Sequence, residues 1–387
     1  MKHSLLITPI LPHPTGSGCA MRASVSLEAL TQRQPLIVVH AKVWGDRPGI
    51  FNPEWARARA AALFQVNPDR LRDIRALVED FLEGVPGGGT LDVIYAFRQV
   101  VAPSAIACIG AGSCPPRVTL LDLDDDECAR TEPFAQLHEH SGRQELAQRL
   151  RRDLPQLTLA RQMIMSRFQH VLLANPEDQR HLQERYPAVA FSQLPNVIRE
   201  PARSAEHQEL DPHRILFVGT LDYFPNEDAV TQFVRNVLPR IRVADPRMHL
   251  RIVGVGESDA VAAVANAAGV QLVGAVPELG SEYAAAAMAV VPLRAGSGTR
   301  IKILEAFAHG VPVVSTPLGA AGLAVTDGVE LLLAEAPEDF AAACLRLGRD
   351  RSLRDRLVRA AGAWVREHHS TATVARILEG LLLPAAP

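Results

Sequence analysis

Residues 289–314 place a short apolar strand, a glycine-bearing loop, a helix and a second apolar strand in direct succession, and this restricts the fold more than any other stretch. Ala289 to Leu293 runs out into Arg294-Ala295-Gly296-Ser297-Gly298-Thr299, where Gly296 and Gly298 let backbone approach a ligand closely. A helix starts near Thr299 and stops at His309-Gly310, glycine suiting the left-handed residue after a helix end. Val311-Pro312-Val313-Val314 then begins the next strand. Two short strands joined by a helix belong in a parallel sheet. The helix N-terminus carries unpaired N–H groups and the positive end of the dipole, so it suits an anion. Arg294, Arg300 and Lys302 add full charges beside it, and Glu305 lies roughly 9 Å further along the axis. A carboxylate there repels a phosphate in direct contact but accepts hydrogen bonds from sugar hydroxyls. Phosphate at the tip and ribose at Glu305 is the spacing of a nucleoside diphosphate. The plainer reading is a turn followed by an ordinary Lys302–Glu305 surface pair.

The same plan occurs twice. Residues 4–11 read as a buried first strand, followed by Pro12-His13-Pro14-Thr15-Gly16-Ser17-Gly18 and a helix from about Cys19 to Leu30. Gly16 and Gly18 make a phosphate approach plausible, although there is no Gly-x-Gly-x-x-Gly. Leu36–His40, Asp92–Phe97, Val118–Leu121 and Val171–Ala174 read as further strands; residues 53–64, 68–83 and 143–169 read as helices, the last interrupted by Pro155. Residues 199–213, rich in Pro, Glu, Arg and His, read as a linker. A new strand at Arg214–Val218 then runs into Gly219-Thr220, helix 227–243 and strand Leu250–Val253. The chain is therefore two similar α/β units, which its 387 residues suit.

Asp122-Leu123-Asp124-Asp125-Asp126-Glu127 invites a divalent-metal reading; against it stands a capped, solvated helix start. Asp124, His138 and His140 are candidates for orienting an acceptor hydroxyl. A net charge of −3 gives no electrostatic case for nucleic acid. Five scattered cysteines without a Cys-x-x-Cys point to free thiols in a reducing cytoplasm. No apolar run approaches a membrane span; the arginine-rich face at 143–169 reads as a solvated surface, with peripheral contact to anionic lipid as the alternative.

The stretch Gly-Ser-Gly-Thr-Arg-Ile-Lys-Ile-Leu-Glu-Ala (296–306) resembles the donor-site signature of GT-B glycosyltransferases, specifically the retaining family numbered four in the sequence classification. The resemblance covers most of 195–384 and the first domain in outline. It implies a GT-B fold: an acceptor domain (1–198), the linker (199–213), a donor domain (214–370) and a last helix (371–387) crossing back onto the first, with a cleft between. It implies sugar transfer from a nucleoside diphosphate sugar to a hydroxyl of a saccharide, lipid-linked or small-molecule acceptor. Configuration is retained, and neither metal nor separate cofactor takes part. By resemblance Glu305 binds ribose, and Gly16, Gly18, Gly219, Thr220 and Val276 join Arg294, Ser297, Gly298 and Thr299 around the donor. Arg300 and Lys302 stabilise the departing diphosphate. The commonest form of the motif carries a glutamate at position 297, where this chain has serine. It also carries an Arg and a Lys in the loop after the donor domain's first strand, where residues 219–226 have neither. The rivals are a nucleotide-sugar 2-epimerase of the same fold and a non-catalytic nucleotide-binding scaffold.

Overall fold

The computed structural model describes residues 1–43, 52–111, 114–199, 209–296 and 300–383. They form two compact units, one comprising residues 1–129, 149–197 and the tail from Thr371, the other residues 130–148 and 198–370.

The first unit holds a seven-stranded sheet built from β1 (Lys2–Thr8), β2 (Leu36–Ala41), β3 (Ala62–Val66), β4 (Thr90–Phe97), β5 (Val118–Asp124), β6 (His170–Leu173) and β7 (Phe191–Gln193). Every pairing is parallel, in the order β3-β2-β1-β4-β5-β6-β7. β2 is buried at all six positions and β1 at every position after Lys2, as expected for strands covered by helices on both faces. The helix Gly18–Thr31 follows β1, with Ser17 Oγ accepting from the Ala20 N–H to cap it. The closing helix Thr371–Leu382 packs on this one. It buries Val374, Leu378 and Leu382, which recur every fourth residue, and Arg33 and Arg117 donate to the Leu382 carbonyl.

The second unit repeats the plan with β8 (Asp211–Val218), β9 (His249–Val253), β10 (Val270–Gly274), β11 (Ala286–Val291), β12 (Val313–Ser315) and β13 (Leu332–Leu333). Its order is β10-β9-β8-β11-β12-β13, again all parallel. In both sheets the winding direction reverses beside the first strand, at β1/β4 and at β8/β11. In such sheets ligands bind outside the carboxyl ends of the strands at that reversal.

Several local expectations are corrected. Residues 53–64 are not one helix: a single turn, Glu54–Arg57, is followed by β3. The alanines favour helix, but Leu63 and Phe64 pair with Val38 and Val39 and complete the sheet edge, so tertiary pairing overrides local preference. The helix Gln144–Met165 continues through Pro155. The helix expected at 227–243 starts at Phe224 and contains a π-helical turn at Phe233–Val237 before Leu238–Ala244. The turn falls just ahead of Pro239, which cannot donate to the preceding ladder.

The strand expected to end at Leu121 runs on to Asp124, so the acidic run is not a solvated helix start. Asp122 is fully buried and receives both arms of the buried Arg22 fork at 2.8 Å, plus the Tyr95 hydroxyl at 2.6 Å. Arg98 donates to Asp124, Asp125 and Glu127, and Arg161 pairs with Asp126. Three arginines therefore occupy the positions a cation would take. Among the described residues no group of three or more His, Cys, Asp or Glu is placed to hold a metal.

Candidate active site

The reversal in the second sheet is lined by the residues that follow β8 and β11. At the end of β8, Gly219 is needed because two elements converge on it. A Cβ there meets Lys302 Cε and Asn226 Nδ2, both at 2.9 Å. From the other side, a Cβ on Gly254 falls 1.7 Å from the Gly219 carbonyl oxygen. Asn226 Nδ2 donates to the Thr220 carbonyl and holds the loop shut. The Gly219-Thr220 backbone thus lies directly under the Lys302 side chain.

After β11 the chain crosses to the helix Ile301–Ala308. Ile303, Leu304, Ala306 and Phe307 turn into the core, which leaves Lys302 and Glu305 together on the other face. Arg300 precedes the helix, is 7% exposed and donates through Nη2 to the Gly296 carbonyl at 3.1 Å. Burial pushes the Lys302 ammonium down to about 8, with Glu305 opposing the shift and Arg300 adding to it. Burial likewise pushes the Glu305 carboxyl up to about 7, opposed by Lys302 and by the Tyr283 hydroxyl, which donates to Oε2 at 3.2 Å. Lys302 Nζ also lies 5.9 Å from the Phe217 ring centroid. A cation and a carboxylate three residues apart, each made harder to ionise by burial, are incompletely compensated by the protein around them.

The other anticipated residues are placed differently. Arg294 spends Nε and Nη2 on Asp228, at 2.9 and 2.5 Å, so its fork neutralises a buried carboxylate. Ser297, Gly298 and Thr299 lie outside the described residues. Val276 is half-buried in the loop after β10. In the first unit Gly16 (φ 105°) lies in the turn after β1, and Gly18 opens the helix that follows. Asp124, also there, has a left-handed backbone (φ 66°) and accepts from Asn196 and Arg98; burial raises its pKa. His138 belongs to the second unit, stacked on Phe224 at 4.0 Å; burial, then Arg143, lowers its pKa. His140 is exposed and bonded to the Gln136 carbonyl. Sequence reasoning missed Tyr283 and Asn226. A tyrosine in the turn before an apolar strand reads as core, and only the fold brings it to Glu305.

A groove of about 410 Å³ lined by His213, Asp245, Arg247 and Arg349 lies near the start of β8, the wrong end of the strands for this chemistry.

Two doubly wound parallel sheets define the class: this is a GT-B fold. Residues 212–350 match the family described as glycosyl transferases group 1. Among solved structures, Anabaena HepE in complex with UDP and glucose aligns with a TM-score of 0.67 at 13% identity, covering 98% of each chain. Sucrose-phosphate synthase from Thermosynechococcus elongatus gives 0.68 at 15%, also over 98% of each. A glycosyltransferase from Rickettsia africae gives 0.68 at 12%, over 98% of this chain and 97% of that one. At these identities the likeness is one of fold. No curated protein sequence matches the chain. Among the described residues no helix is long and apolar enough to cross a membrane.

Proposed function

We propose that the protein moves a sugar from a nucleoside diphosphate sugar to a hydroxyl acceptor with retention of the anomeric configuration. The observation that carries this reading is the Lys302–Glu305 pair over Gly219 at the β8/β11 reversal. Lys302 supplies positive charge where a diphosphate needs it, and Glu305, one helical turn on, offers oxygens to ribose hydroxyls. The matching of 212–350 to group 1 glycosyl transferases supports the reaction class, and UDP with glucose in the HepE structure supports the donor class.

As the glycosidic bond breaks, the anomeric carbon becomes cationic and the diphosphate gains negative charge. Lys302 and Arg300, already in place and partly desolvated, stabilise that charge more than they stabilise the intact donor, which is what lowers a barrier. The same cations do the work a divalent ion does in other transferases, and the nucleotide sugar is a substrate, so the proposal needs no separate cofactor. Acceptor attack on the face that the diphosphate leaves gives retention without a protein nucleophile. The five free thiols suit a reducing cytoplasm.

The test is a panel of UDP-, ADP- and GDP-sugars scored by thermal shift, since a ligand of the folded state raises the melting temperature. The best donor is then incubated with saccharide, lipid-linked and small hydroxyl acceptors, and the new linkage is assigned by NMR. A transferred sugar with the donor's anomeric configuration supports the proposal. Conversion of the donor alone to its C2 epimer, or no chemistry with any donor that binds, contradicts it.

A further inference from the structure

We propose that Tyr283 is a positioning residue that fixes the Glu305 carboxylate for the ribose hydroxyls of the donor nucleotide. The proposal rests on the donor-site reading above. Tyr283 sits on the short helix Gly280–Ala284, immediately before β11, and is 1% exposed. Its Oη donates to Glu305 Oε2 at 3.2 Å. Its ring stacks on His309, with centroids 4.6 Å apart and planes 11° from parallel. His309 follows the donor helix, and its N–H bonds the Glu305 carbonyl at 2.9 Å. One tyrosine therefore holds the Glu305 side chain by its hydroxyl and the end of the same helix by its ring.

A carboxylate has about four acceptor directions and the phenol takes one of them, leaving the rest for a vicinal diol. Burial and the neighbouring carboxylate keep the phenol neutral, since both raise its pKa well above the ordinary value. It therefore donates and never repels. A glutamate held in one rotamer before the ligand arrives loses less freedom on binding. A core tyrosine that merely needs a partner for its hydroxyl commonly finds a backbone carbonyl; this one reaches the half-buried carboxylate already assigned to ribose. The ionisable groups facing Glu305 are Lys302 and Tyr283, with His309 behind the tyrosine ring.

Tyr283→Phe keeps the ring stack and removes Oη. UDP, ADP and GDP, each with its 2′,3′-dideoxy counterpart, are titrated calorimetrically into wild type, Tyr283→Phe and Glu305→Ala between about pH 6 and 9. Wild type is expected to prefer a ribonucleotide over its dideoxy form. Tyr283→Phe should bind that ribonucleotide about tenfold more weakly with dideoxy affinity unchanged. The acid limb of its binding curve should also move to higher pH, because the phenol no longer favours the charged carboxylate. A Tyr283→Phe protein with wild-type preference and acid limb overturns the inference. So does an equal loss for both nucleotide forms, which marks a packing role. In either case a Glu305→Ala protein that has lost the ribose preference leaves the donor reading standing. If Glu305→Ala binds like wild type, or wild type binds no nucleotide, the donor reading falls and the inference with it.

Discussion

Both units gather charge near the carboxyl ends of their strands, and they treat it in opposite ways. In the first unit each buried carboxylate of Asp122, Asp124, Asp125 and Asp126 meets an arginine, and Arg22 adds hydrogen bonds to the Leu194 carbonyl and Asn196. In the second, Lys302 and Glu305 are left with pKa values drawn toward each other, about 8 and about 7. Arg294, one loop away, is by contrast matched to Asp228 in the manner of the first unit. Charges that the fold completes are struts. In the proposed reading, the charges that it leaves incomplete are the ones a ligand completes.

The largest effect that can break this contrast is on stability in the first unit. Arg22→Ala strands Asp122 without its partner, and breaking a buried pair costs about 3–5 kcal/mol. Chemical denaturation should show a loss of that size or an unfolded protein; a near-wild-type midpoint contradicts the strut assignment. Next comes Lys302→Ala, expected to lower transfer by about 10²–10³-fold while the melting temperature stays at or above wild type. A variant that transfers normally, or that only unfolds, removes the distinction between the units.

Glu305→Gln is predicted to act oppositely on stability and on binding. The folded carboxyl is raised from 4.5 to about 7, so the folded state holds a proton that the unfolded state releases between those values. Stability from this group is full below about pH 4.5 and is lost as pH rises to about 7. The glutamine variant should therefore melt higher than wild type near pH 8, with the advantage shrinking toward pH 5, while nucleoside diphosphate affinity falls about tenfold. A lower melting temperature at pH 8 contradicts the claim that the Glu305 carboxylate is under-compensated in the folded protein. The smallest effect sharpens the role of Asp124. Asp124 pairs with Arg98 and accepts a hydrogen bond from Asn196, so Asp124→Asn should shift the melting temperature more than turnover; a collapse in turnover with unchanged melting makes it part of the acceptor machinery.

In the stretch 289–314 the strand, the helix and the Lys302–Glu305 pair were legible because their signals are local and fall within one supersecondary unit. The two-unit plan was legible for the same reason, in repeated apolar strands and glycine turns. What was not legible depends on sheet pairing. β3 looks helical until β2 is beside it, and the 122–127 run looks solvated or metal-binding until Arg22, Arg98 and Arg161 arrive from distant segments. Arg294 looked like a phosphate ligand because Asp228 is 66 residues away. Tyr283 was invisible as a site residue because its partner lies across β11.

The most direct measurement is the proton linkage of nucleotide binding. The tightest binder among UDP, ADP and GDP is titrated calorimetrically at pH 8 in buffers of different ionisation enthalpy. The Lys302 ammonium, which burial pushes down to about 8, should be driven toward full charge by the diphosphate. Binding is therefore predicted to take up a fraction of a proton in wild type and none in Lys302→Ala. Binding without proton uptake in wild type, or uptake that survives in Lys302→Ala, contradicts the assignment of the diphosphate to Lys302.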